Sequence, residues 1–124
     1  LEKIIDGSDP QMLVHKAEEI AKATMDVGDR RQKKLSTSQI RNIYSTVKIL
    51  EMTKEREDTI SRLVLIKPKL AYASGRHNDV PGLKILRDVL GRSIDLVAED
   101  KSRFDTFCNF FEAILAYHKA EGGN

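Results

Sequence analysis

The sequence predicts an all-α fold, a single-domain bundle of about five helices, and three observations predict it. Apolar residues recur at three- and four-residue steps along most of the chain, the period that gathers them on one face of a helix. No segment alternates apolar and polar residues with period two, so no half-buried strand is expected. Only three prolines and seven glycines punctuate the 124 residues, and they fall between the periodic segments or near their ends. A chain of this length supports one hydrophobic core. Residues 1–124 are therefore expected to form one helical domain, with 121–124 as a flexible tail.

The first helix is expected over 10–25. Asp9 caps it and Pro10 stands at the first helical position, where a missing N–H costs nothing. Leu13, Ala17, Ile20 and Ala21 form its inward face. Residues 26–35 read as a polar, basic loop. Ser36 and Gln39 then have the spacing of a capping box, with Leu35 and Ile40 as a hydrophobic staple. The helix they open should run over 37–53 and bury Ile40, Ile43, Tyr44, Val47 and Leu50. A third is expected over 56–74, with Ile60, Leu63, Val64, Leu70 and Ala73 apolar. Pro68 should kink or split it near Lys67, and Gly75 should cap its end. The fourth, over 81–99, is apolar on two sides, which suits a central helix. The fifth, over 101–120, carries Phe104, Phe107, Phe110 and Phe111.

Charge is nearly balanced overall, with 21 Lys and Arg against 19 Asp and Glu, so the sum alone points to no nucleic acid. Its order is more informative. Residues 1–29 carry a net −4, 30–50 a net +6 with no acid, 51–66 a net −1, 67–87 a net +4 and 88–124 a net −3. Two basic blocks of this kind either place a positive field on one side of the molecule or form two solvated faces. The longest uninterrupted apolar run is five residues, Ala113 to Tyr117, far short of the ~20 that span a bilayer, and no membrane is expected. Cys108 is the one cysteine, which excludes an internal disulfide and a cysteine-based zinc site. A cytoplasmic location follows as the expectation.

Catalysis finds little support. The histidines stand at 15, 77 and 118 without metal-ligand spacing, and no glycine-rich phosphate loop is present. His77-Asn78-Asp79 reads as a turn. Cys108 lies among phenylalanines and reads as a buried, inert thiol, and His118 as a satisfied, half-buried histidine on the face of Phe111 and Ile114. No catalytic residue, metal or cofactor is expected.

Phosphate binding does better. Arg41 and Lys48, seven apart, lie within about 20° of each other around a helix axis, with Thr37, Ser38 and Ser45 on or beside the same stripe. Cationic and hydroxyl donors at one-turn intervals suit a sugar-phosphate backbone, whose charge repeats along a line. Arg62, Lys69 and Arg76 also recur at seven, with Tyr72 between the last two; Tyr72 is expected in the core, base stacking being the alternative. Lys84, Arg87 and Arg92 have Asp88 and Asp95 within a turn and are expected to pair with them.

Three blocks, Leu35 to Arg41 with the helix that follows, Lys67 to Arg76, and Phe110 to Lys119, together resemble the small-subunit family of type III-A CRISPR effectors, the Csm complex. The resemblance covers about residues 10–120. It implies a helical, non-catalytic subunit in antiviral defence, copies of which stack along a ribonucleoprotein filament. The implied partners are target RNA, CRISPR guide RNA, the repeating backbone subunit, the large subunit and neighbouring copies of itself. Carried onto matching positions, it nominates Arg41, Lys48, Lys67, Lys69 and Arg76 as RNA contacts. Lys34 and Ser45 join them from the first basic block and its stripe. The rival reading is a protein-interaction scaffold whose basic blocks bind acidic neighbouring subunits. Exchange of helices about residues 74–80 would give a dimer.

Overall fold

The computed structural model describes residues 1–122, and among them every regular element is helical. A short helix α1 (Glu2–Ile5) precedes α2 (Pro10–Asp26), α3 (Thr37–Met52), α4 (Thr59–Val64), α5 (Ile66–Arg76), α6 (Pro81–Glu99) and α7 (Phe104–Ala120), the last entered through a 3-10 turn at Lys101–Arg103. The five expected helices are present, with two differences. The first is α1, which drops Ile4 and Ile5 into the core and is tied down by a hydrogen bond from Arg103 to Glu2. Four residues are too few to show a period.

The second difference is the expected third helix, which is two helices. The break falls at Leu65, not at Lys67, and α5 continues to Arg76, so that Gly75 lies inside the helix and His77 caps it. Proline geometry explains the break. The Pro68 ring excludes the carbonyl four residues back, at Val64, and this sets Pro68 in the first turn of a new helix, where no N–H is required.

Local signals placed the starts of α2 and α3. The Asp9 carboxylate accepts from the Met12 N–H at 3.0 Å, and Pro10 opens α2. At α3 both halves of the capping box form: the Ser36 hydroxyl accepts from the Gln39 N–H at 3.1 Å, and the Ser36 N–H donates to Gln39 Oε1 at 2.9 Å. Leu35 and Ile40, which flank it, are both buried.

One continuous core joins the helices, with α6 packed against α1, α2, α4, α5 and α7. Leu83, Leu86, Leu90, Ile94 and Val97 are buried, and Ile85, Val89 and Leu96 half-buried, as a two-sided helix should have them. The four phenylalanines of α7 are all buried, and Phe111 meets Tyr44 of α3 edge-on at 5.3 Å. Burying a Phe side chain of this size stabilises by roughly 1.5–3 kcal/mol. Glu121 and Gly122 continue from α7 as a hydrogen-bonded turn, and the rest of the expected flexible tail, 123 and 124, lies outside the described residues.

Candidate nucleic-acid interface

The two basic blocks meet in space. The 27–36 connection between α2 and α3 lies against the α5–α6 turn: the Lys33 N–H donates to the Asp79 carbonyl at 2.8 Å, and the Lys33 ammonium pairs with the Asp79 carboxylate at 3.6 Å. Beside this contact, Gly82 brings its backbone so near Leu35 that a Cβ there would stand 2.9 Å from the Leu35 Cβ. At the opposite end of α3, Ile49 and Leu50 share a shallow groove of about 230 Å³ with Leu65, Ile66 and Lys69. The two helices are therefore antiparallel, and Arg41 in the second turn of α3 and Arg76 in the last turn of α5 belong to the same end of the bundle as the basic loop.

The nominated side chains divide into two groups. Arg41, Lys69 and Arg76 are exposed and make no side-chain hydrogen bond or ion pair among the described residues. The others have internal partners. Lys48 pairs with Glu51 at 2.8 Å, a bond that also raises its pKa, and the Ser45 hydroxyl donates to the Asn42 carbonyl at 2.9 Å. The Lys34 ammonium donates to the Met25 carbonyl at 2.6 Å, fastening the loop to the end of α2. Lys67 sits about 200° around α5 from Lys69, on the flank facing α6, where it pairs with Asp95 at 2.5 Å. The structure thus brings Lys69 and Arg76 to one flank of α5 and Lys67 to the other.

Four expectations are corrected here. Tyr72 is 69% exposed rather than in the core, on the flank of Lys69 and Arg76. Thr37 is buried and engaged internally, so it offers no surface donor. Arg62, cut off from α5 by the break at Leu65, turns back to the Thr53 hydroxyl at 3.4 Å. Lys84, Arg87 and Arg92 form no ion pair among the described residues: Lys67 reaches across from α5 to take Asp95, and Asp88 pairs with none of them. A pair between neighbours on one helix contributes only about 0.3–0.5 kcal/mol, so such a competitor displaces it easily.

Cys108 is buried, as expected, while His118, expected to be half-buried, is buried completely. Burial pushes the Cys108 thiol up to about 12, so it is protonated at neutral pH. His118 is fully buried, with its ring nitrogens 2.8 Å from the Leu35 carbonyl and 3.0 Å from the Thr37 hydroxyl, and burial lowers its pKa. Among the described residues no three His, Cys, Asp or Glu side chains gather as metal ligands, and no helix is long and apolar enough to cross a membrane.

Sequence reasoning about sites passed over Arg30 and Arg31. Both are exposed in the α2–α3 loop, and neither side chain has a partner among the described residues. The absence of any acid from 30–50 was the signal available for them.

The family described as Csm2 Type III-A matches residues 7–124. The chain is similar to a protein of Enterococcus italicus described as CRISPR system Cms protein Csm2, 32% identical over 94 residues that cover 68% of this chain and 66% of that protein. It is similar also to a Streptococcus thermophilus protein of the same description, 30% identical over 92 residues, covering 72% of this chain and 74% of that one. The chain therefore spans just under two thirds of the first relative. No solved structure matches the chain significantly.

Proposed function

Because the chain belongs to the Csm2 family of type III-A CRISPR systems, we propose that it is the non-catalytic small subunit of a cytoplasmic Csm ribonucleoprotein. In this reading it stacks with further copies beside the repeating backbone subunit and the large subunit. There it holds target RNA paired to the CRISPR guide RNA by its phosphates, in antiviral defence. The observation that carries the reading is the meeting of the two basic blocks at one end of the bundle, where Arg41 and Arg76 have no partner among the described residues. Every cation left unpaired there keeps its full capacity for an external anion. Contacts to phosphate carry no base information, which suits a subunit that must accept any guide.

Replacing Arg41 and Arg76 by alanine tests it. RNA affinity of the full chain should fall, and the slope of log K against log salt should flatten by roughly 1.4–1.8, at ~0.7–0.9 per lost phosphate contact, equally for unrelated RNA sequences. Lys16→Ala and Lys54→Ala are the controls, since these cations are engaged by Glu19 and Asp105 elsewhere on the surface. A loss that depends on RNA sequence, or controls that cost more than the arginines, would remove Arg41 and Arg76 from the site.

The scaffold reading has its own observation. Ile49, Met52 and Leu65 are 55%, 75% and 64% exposed, and Ile49 and Leu65 line the groove between α3 and α5. A chain that is only a scaffold assembles into the complex normally but shows no salt-dependent affinity for RNA.

A further inference from the structure

We propose that the α2–α3 loop is a second, preformed contact for RNA phosphates, with Arg30 and Arg31 as its contact residues; this rests on the RNA-binding reading above and extends it to residues outside the helices. The connection from the end of α2 to the start of α3 takes ten residues, 27–36, where helical bundles usually need about 2–8. An exposed connection of this length would ordinarily be mobile. This one is fastened at almost every residue.

The fastenings are specific. Gly28 has φ +95°, and a Cβ on it would stand 2.6 Å from the Pro81 ring and 2.7 Å from Gln32 Oε1, so the turn there is built for glycine. The Asp29 N–H donates to Gln32 Oε1 and the Arg31 N–H to Asp29 Oδ1, each at 2.9 Å. Lys33 is bonded to Asp79 through both its backbone and its side chain, and Lys34 to the Met25 carbonyl. Leu35 is buried, and its carbonyl is held by His118. Each of these bonds uses a backbone group or the side chain of Asp29, Gln32, Lys33, Lys34 or His118.

Two polar side chains in the loop take no part among the described residues, and both are arginines. Asp29, the one acid of residues 27–36, spends Oδ1 on the Arg31 backbone rather than on a guanidinium. Arg30 and Arg31 are therefore presented to solvent from a fixed backbone. An ordered loop loses little further freedom when a ligand docks, which is what makes preformed contacts effective. A guanidinium fork matches a phosphate in geometry as well as charge. The loop holds no aromatic residue on which a base could stack. Its occupant is thus the backbone of the RNA already assigned to Arg41 and Arg76, continued past the end of the bundle.

The test uses the full chain with poly(U) and with a mixed-sequence RNA across a salt series. Arg30→Ala with Arg31→Ala should flatten the salt slope by a further ~1.4–1.8 for both RNAs, with helicity and thermal midpoint unchanged because neither side chain bonds anything among the described residues. Gly28→Ala keeps every cation but strains the loop, and it should reproduce part of the loss of affinity. If Arg41→Ala with Arg76→Ala weakens binding while Arg30→Ala with Arg31→Ala does not, the loop assignment is overturned and the RNA reading stands. If the unaltered chain has no salt-dependent RNA affinity, alone or in its assembled complex, the RNA reading fails and the loop assignment with it. An equal loss of affinity for polyglutamate, a carboxylate polymer without phosphate, would overturn the phosphate assignment in favour of an acidic protein surface.

Discussion

Mild acid should loosen this fold through one side chain. His118 lies in α7 with no exposed surface. The Leu35 carbonyl, 2.8 Å from Nε2, can only accept, so Nε2 carries the proton and Nδ1 accepts from the Thr37 hydroxyl at 3.0 Å. The neutral ring thereby ties the last turn of α7 to the residues that flank the α3 cap. Burial lowers its pKa below the ordinary 6.5, opposed in part by the bond to Leu35. The unfolded chain then binds a proton more readily than the folded one, so stability is greatest above the ordinary value and declines as pH falls through it. If the folded ring stayed neutral throughout, the loss between about pH 7.5 and about pH 5.5 would reach its ceiling of about 1.4 kcal/mol. Urea denaturation at several pH values measures it. Running His118→Gln in parallel isolates this group: glutamine offers a donor for the Leu35 carbonyl without titrating. That variant should lose about 1–3 kcal/mol at neutral pH from imperfect packing and bonding, and its pH profile should be flatter than that of the unaltered chain. Parallel profiles for the two proteins would refute the argument.

Other perturbations test the packing. Gly82→Ala should destabilise by about 1–3 kcal/mol or more, because the new Cβ would stand 2.4 Å from the Thr24 carbonyl oxygen. Gly91→Ala should instead stabilise by about 0.5–1 kcal/mol, since its Cβ would meet nothing nearer than Lys67 Cε at 3.9 Å and alanine favours a helix interior; chemical denaturation of both variants checks the opposite signs. Cys108, buried and with its thiol pushed up to about 12, should resist alkylation at neutral pH and react readily in denaturant. Fast labelling of the native chain would contradict its placement in the core.

The basic interface shows how contacts within a helix and contacts between helices differ in what they reveal. Ion-pair rules applied along α6 alone joined Arg92 to Asp95, but Asp95 is held by Lys67, which is remote in sequence and reaches it from α5. Arg87 and Arg92 are left without an ion pair among the described residues. Tyr72, expected in the core as tyrosines commonly are, lies about 200° around α5 from the buried Leu70 and is exposed on the flank of Lys69 and Arg76.

By itself the sequence determined the helices, most of their ends and most of the residues they bury. Those properties depend on neighbours within a few residues: the Asp9 cap, the Ser36–Gln39 box, and the repeat that carries Leu83, Leu86, Leu90, Ile94 and Val97 inward. The tertiary structure alone decided which charges are free and which basic segments meet. Lys33 reaches Asp79 and Lys67 reaches Asp95 only after the helices have packed. Packing is driven by burial of apolar area, which has no direction and is indifferent to the charges it carries together on the surface.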